Sequence, residues 1–170
     1  MSHITTVEKE IKNLDGAKRA AQALGLGFEL GPSPVKYFSG DGPVCDAIIY
    51  LPKATKASKY TLGLRLNPKT GCYDLCADEE LIGGRSGTDD YGVNDPLRKI
   101  LGEDCRNFMK EYSCEIIQGT YGPLLAGNPN LRLERTNHPD GSIDFRIYDV
   151  TDVEIASTQE MIQDLWQGVA

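Results

Sequence analysis

Residues 82–91 read Ile-Gly-Gly-Arg-Ser-Gly-Thr-Asp-Asp-Tyr, a run with three glycines, one guanidinium, two hydroxyls and an aromatic ring. Glycines can turn backbone N–H groups inward, an arginine can fork onto a phosphate, and a tyrosine ring can stack on a base. Gly83, Gly84, Arg85, Ser86, Gly87, Thr88 and Tyr91 are therefore the candidate ligand-binding residues. The run lacks the Lys-Ser/Thr ending of a phosphate-binding loop and the spacing of a dinucleotide fingerprint, so it belongs to no specific motif. An exposed connector is the competing reading. Asp78, Glu79, Glu80, Asp89, Asp90 and Asp95 surround the run. They could hold a hard cation through oxygen, although without the spacing of an EF-hand. As solvated charges they would repel a phosphate unless Arg85 or a bridging cation screens them.

The other reactive side chains form no catalytic set. The five cysteines are Cys45, Cys72, Cys76, Cys105 and Cys114, with no CxxC pair, and the only histidines are His3 and His138. That excludes an ordinary zinc site and a Cys-His nucleophile. Cys72 and Cys76 fall on one strand face with Asp74, half of a metal site at most; the cysteines read as small buried apolar residues in a reducing compartment. His3 and His138 come with no nucleophile, and carboxylate pairs such as Glu103 with Asp104, or Asp144 with Asp149, have no spacing that separates acid from base. No catalytic residue, metal or cofactor is expected. The tyrosines, at positions 50, 60, 73, 91, 112, 121 and 148 among others, suit ligand stacking and half-buried sheet positions alike.

These groups sit in a chain of 170 residues that is 40% hydrophobic and 25% charged, enough to bury a core without staples. Eighteen basic against 25 acidic residues leave a net charge of −7, with a pI near 4.8. Broad nucleic-acid binding is disfavoured. No stretch approaches the roughly 20 apolar residues of a membrane helix, and the opening Met-Ser-His-Ile-Thr-Thr lacks the pattern of a signal peptide. A cytoplasmic location, with no membrane, is expected.

Alternation over residues 5–11 predicts a strand. Leu14, Ala17, Ala21 and Leu24 repeat at helical spacing, with Asn13 as N-cap and Gly25 and Gly27 as the stop. Phe28 and Leu30 form a short strand, after which Gly31-Pro32-Ser33-Pro34 and Gly40-Asp41-Gly42-Pro43 predict two breaks around an edge strand at 35–38. Residues 47–51 and 60–66 read as strands, and the turn 67–71 returns the chain into a hairpin strand at 72–76. A long Gly- and Asp-rich loop covers 78–94. Asp95-Pro96 opens a second helix, with Leu97, Ile100, Leu101, Phe108 and Tyr112 on its buried stripe, stopped by Gly119, Gly122 and Pro123. Leu131 and Leu133 pair with Ile143, Phe145 and Ile147 in a last hairpin. Ser157 and Glu160 form a capping box for a short C-terminal helix carrying Met161, Ile162, Leu165 and Trp166. The expected fold is α+β: one domain over 1–170, with a mainly antiparallel sheet, two main helices on one face and a C-terminal helix.

The start Met1-Ser2-His3-Ile4-Thr5-Thr6 leading to Ile11-Lys12-Asn13-Leu14-Asp15, the helix end at 20–25, Tyr73-Asp74-Leu75 with Asp78, and the turn Asp140-Gly141-Ser142-Ile143 occur in order. In these pieces the chain resembles the hypothetical chloroplast reading frame thirty-five family, a domain of unknown function from plastids, cyanobacteria, other bacteria and phages. The resemblance covers a core of residues 1–149, with a C-terminal extension at 150–170. It departs from the short plastid form around 53–58, 83–94 and 119–130. It implies a small α+β domain and an association with bacterial ATPase gene clusters or phage genomes, and transfers no functional residue.

The function expected from these readings is non-enzymatic: holding or sequestering a small phosphorylated or nucleotide-like ligand, in a phage or bacterial signalling context. The alternatives are a protein–protein adaptor or accessory factor of a partner such as an ATPase, engaged through the C-terminal helix or a sheet edge, and a small metal-assisted hydrolase using the acidic loop. The oligomeric state is left open.

Overall fold

Helix α1 (Leu14–Ala23) starts where the Asn13 side chain accepts a hydrogen bond from the Gly16 amide at 2.6 Å. That bond satisfies one of the donors a first helical turn leaves without a partner. Gly25, at φ +72°, closes the other end. The Gly25 and Leu26 amides reach back to the Gln22 and Ala21 carbonyls at 2.9 and 2.8 Å, a Schellman cap that a side chain at Gly25 would strain. The buried stripe of α1 is Gly16, Ala17, Ala20 and Ala21. Such small residues permit a close approach: a Cβ on Gly16 would lie 2.9 Å from the Ile116 side chain and 3.1 Å from Tyr112.

The structure, a computed structural model, describes residues 4–37, 40–52, 60–82, 95–140 and 142–151. The fold is α+β, and the chain divides into two compact units, Met1–Ile117 and Gln118–Ala170. In the first unit five strands form one sheet: β1 (Ile4–Ile11), β2 (Gly27–Tyr37), β3 (Gly40–Tyr50), β4 (Leu62–Leu66) and β5 (Tyr73–Asp78). Their order is β1-β5-β4-β3-β2, and every neighbouring pair is antiparallel. Alternation puts Ala47, Ile49, Leu62, Leu64, Leu75 and Ala77 on one face. There they share a core with Ala17, Ala20 and Ala21 of α1, Leu81 and Ile82 of α2 (Glu79–Ile82), Leu97 and Leu101 of α3 (Pro96–Leu101), and Phe108 and Tyr112 of α4 (Arg106–Ala126).

The opposite face carries a second, smaller core of Val35, Cys45 and Cys76. It exists because the far end of the β2–β3 hairpin reaches across to the start of β4. The Lys36 amide donates to the Thr61 hydroxyl at 2.8 Å, and the Thr61 amide donates to the Lys36 carbonyl at 3.0 Å. Gly63 makes the room: a Cβ there would stand 2.4 Å from Val35 Cγ2 and 2.5 Å from Cys45 Sγ.

Several boundaries differ from the sequence expectation. Pro32 and Pro34 do not break β2, which runs on to Tyr37 with register shifts between Leu30 and Ser33 and between Pro34 and Lys36. β2 is an edge strand, so the missing proline N–H groups cost no ladder bond on its open side. Likewise 40–43 belong to β3, in a part paired with β2 alone. The loop expected from Asp78 onward begins with the α2 turn. Asp95 caps α3 as expected, its carboxylate accepting from the Leu97 amide at 2.8 Å behind Pro96. The single helix expected beyond it is two, parted by Gly102 and by left-handed Asp104 and Cys105 (φ 51° and 56°). Gly119, Gly122 and Pro123 do not stop α4, which continues to Ala126. Gly122 offers Pro123 no Cβ to clash with, which relaxes the usual constraint on the residue before proline.

The second unit holds the hairpin of β6 (Leu131–Asn137) and β7 (Ile143–Asp149), paired from Leu131 with Asp149 to Asn137 with Ile143. His138 and Asp144 clip its turn at 2.9 Å. The Thr151 hydroxyl and amide both donate to Asp149, holding that carboxyl below the usual range. The C-terminal helix expected from Ser157 lies outside the described residues. Among the described residues no helix is long and apolar enough to cross a membrane.

Candidate functional site

Gly83, Gly84, Arg85, Ser86, Gly87, Thr88 and Tyr91 lie outside the described residues, as do Asp89 and Asp90. The structure does describe what the segment is tied to, Ile82 on one side and Asp95 on the other. The Tyr60 hydroxyl, on a residue only 3% exposed, donates to Glu80 Oε2 at 2.8 Å. The Glu80 amide donates to the fully buried Asp78 carboxylate at 3.0 Å, and Arg98 Nη1 donates to the Glu80 carbonyl at 2.9 Å. These bonds link β5, α2 and α3 through one acidic knot. Among the described residues no three His, Cys, Asp or Glu side chains are arranged to hold a metal ion.

Burial, then the hydrogen bond to Glu80 and the negative charge of Glu80, Asp78 and Asp95, push the Tyr60 phenol above its ordinary range. A phenol that keeps its proton more tightly in the folded chain adds stability present below its unfolded value of about 10 and lost as pH rises beyond it. Denaturant midpoints should therefore fall as the pH climbs past about 10. Tyr60→Phe should flatten that fall and cost about 1 kcal/mol at neutral pH for the lost hydrogen bond. An unchanged alkaline limb in the variant would show that another group controls it.

A groove of about 380 Å³ opens elsewhere in the first unit, lined by Lys12, Asn13, Leu14, Asp15, Lys18, Phe28, Leu30 and Tyr73. Its volume falls in the range that takes small ligands. Strand β1 ends with Ile11 opposite Tyr73, so the next residue, Lys12, and Tyr73 both line the groove. Tyr112 fixes this corner from α4, its hydroxyl accepting from the Lys12 and Asn13 amides at 2.8 and 3.4 Å. Lys18 lies one turn along α1 from Leu14. Two ammonium groups against one carboxylate give the groove a local positive balance in an acidic chain, and the first turn of α1 adds its dipole. Phe28, Leu30 and Tyr73 supply an apolar wall on which a flat ring can lie. An anion carrying an aromatic or apolar body matches this surface.

Sequence reading missed the groove because its parts come from β2, β5 and the β1–α1 junction, which only strand register brings together. The signal within one segment was a lysine on either side of a helix start, at positions 12 and 18. His138, which the sequence offers with no nucleophile, is held by Asp144 in the hairpin turn. Comparison with known proteins finds no matching family model, no similar curated protein and no similar solved structure.

Proposed function

We propose that this protein is a non-enzymatic binding protein that holds a small phosphorylated or nucleotide-like ligand in the groove at the start of α1. The supporting observation is the groove itself, where Lys12 and Lys18 face a wall of Phe28, Leu30 and Tyr73. The lysines are point charges for phosphate oxygens, and the wall takes the ring or sugar that carries them. The proposal includes kinship with the hypothetical chloroplast reading frame thirty-five family, on the ordered motifs quoted above. Residues 83–91 are the competing place for the same class of ligand.

Calorimetric titration with nucleoside mono- and diphosphates tests the reading. Saturable binding should weaken about tenfold or more in Lys12→Glu and in Lys18→Glu, since a charged hydrogen bond contributes about 1.5–3 kcal/mol. Arg85→Ala should leave it unchanged. Loss of binding in Arg85→Ala alone would move the ligand to 83–91. No binding by the wild-type chain to any of these compounds would overturn the proposal and favour the adaptor.

A further inference from the structure

The hairpin of β6 and β7 sorts its side chains by face. Register places Leu131, Leu133, Ile143, Phe145 and Ile147 on one side with Arg135, and the charged Arg132, Glu134 and Arg146 on the other. The charged side is exposed, but the apolar side is not enclosed either: Leu133 and Phe145 are half-buried, Ile147 is 45% exposed, and none of the described residues from 118 onward is buried. Two strands alone make at best a marginal structure in water, and a helix packed on their apolar face is one of the ways to complete them.

We infer that the amphipathic segment of residues 157–169 docks as a helix on the hairpin face that carries Leu133 and Phe145 and completes the core of the second unit. Residues 152–170 follow β7 within the same compact unit, Gln118–Ala170. The strand ends where the Asp149 carboxylate accepts from the Thr151 amide at 2.9 Å, a bond of the kind that caps a helix, and Val150 and Thr151 are already helical. The Val150 amide donates to the Asn130 carbonyl at 2.8 Å, so the chain leaves at the open end of the hairpin with its whole length to return along. Met161, Ile162, Leu165, Trp166 and Val169 recur at helical spacing and form one stripe. A helix over 158–169 is about 18 Å long, against about 23 Å for a seven-residue strand. Charge agrees with the fit: residues 152–170 carry Asp152, Glu154, Glu160 and Asp164 and no Lys or Arg, and Arg135 stands opposite Phe145 on the face they would meet. The short tether gives this segment a high effective concentration that a second copy or a separate protein does not have.

Trp166 is the only tryptophan in the chain, so its fluorescence reports on this segment alone. In the whole folded chain its emission should lie to the blue of that of the urea-unfolded chain and resist quenching by acrylamide, at a light-scattering mass of one chain. Leu133→Asp should move the emission to the red and raise quenching to the unfolded level, while Thr136→Ala, on the opposite face, should change neither. The reciprocal measurement leaves the hairpin sequence intact: Leu165→Asp should speed amide hydrogen exchange throughout β6 and β7 while β3, β4 and β5 keep their protection. That arm decides the matter even where Leu133→Asp unfolds the hairpin. Freely quenched Trp166 in the wild-type chain would overturn the inference and leave the face to a separate protein. Hairpin exchange unaltered in Leu165→Asp would overturn it as well. A blue shift that develops only as concentration rises, with a doubled mass, would overturn it in favour of a second copy.

Discussion

Phe108→Ala is expected to destabilise the chain by about 3–5 kcal/mol, the range for removing a fully enclosed aromatic side chain. Among the described residues Phe108 heads the fully buried side chains by volume, and it shares the main core with Leu62 and Leu64 of β4, Leu97 and Leu101 of α3 and Ala17 of α1. Elements from across the first unit therefore lose contact at once, and a well-packed interior does not collapse fully into such a cavity. Urea unfolding measures the effect as a lower midpoint at unchanged slope. Phe145 provides the internal comparison, because it is only half-buried on β7. Phe145→Ala should cost less than half as much. Equal costs for the two truncations would refute the placement of Phe108 at the centre of the core.

Gly63→Ala should cost about 1–3 kcal/mol, the usual penalty for overfilling a packed site. The added methyl would meet Val35 Cγ2 at 2.4 Å and Cys45 Sγ at 2.5 Å, distances that force both to move. Both neighbours belong to the hairpin that crosses the outer face of β4, so the strain lifts that hairpin rather than the main core. The double variant Gly63→Ala with Val35→Ala should recover part of the loss, and a double-mutant cycle measures the coupling. Gly71, whose Cβ would meet nothing within 4 Å, separates the two causes. Alanine at Gly71 pays only for its positive φ of 71°, which no second substitution relieves. Additive costs at Gly63 and Val35 would refute the close approach.

Local chemistry makes the ends of α1 and the start of α3 legible in the sequence, since Asn13, Gly25, Asp95 and Pro96 act within four residues of themselves. The turn at 67–71 is equally legible, and so is the alternation that places Leu62, Leu64 and Leu75 on one face. Readings based on breaker residues fail where tertiary position overrides them. Pro32 and Pro34 are tolerated because β2 is an edge, and Pro123 is tolerated behind a glycine. Nothing in a single segment shows that an edge will be an edge.

The amino-acid order by itself determined the α+β class, both ends of α1, the start of α3, the pairings of β4 with β5 and of β6 with β7, and the acidic balance of the chain. Those properties depend on periods of 2 and 3.6 residues and on charges that can simply be counted. Only the tertiary structure decided that Lys12 and Lys18 share a groove with Phe28 and Tyr73, that Tyr60 closes an acidic knot, and that Val35, Cys45 and Cys76 share a small core beside Gly63. Each of these depends on strand order and register, which arise from burying one face of the whole sheet at once and leave no local trace in the chain.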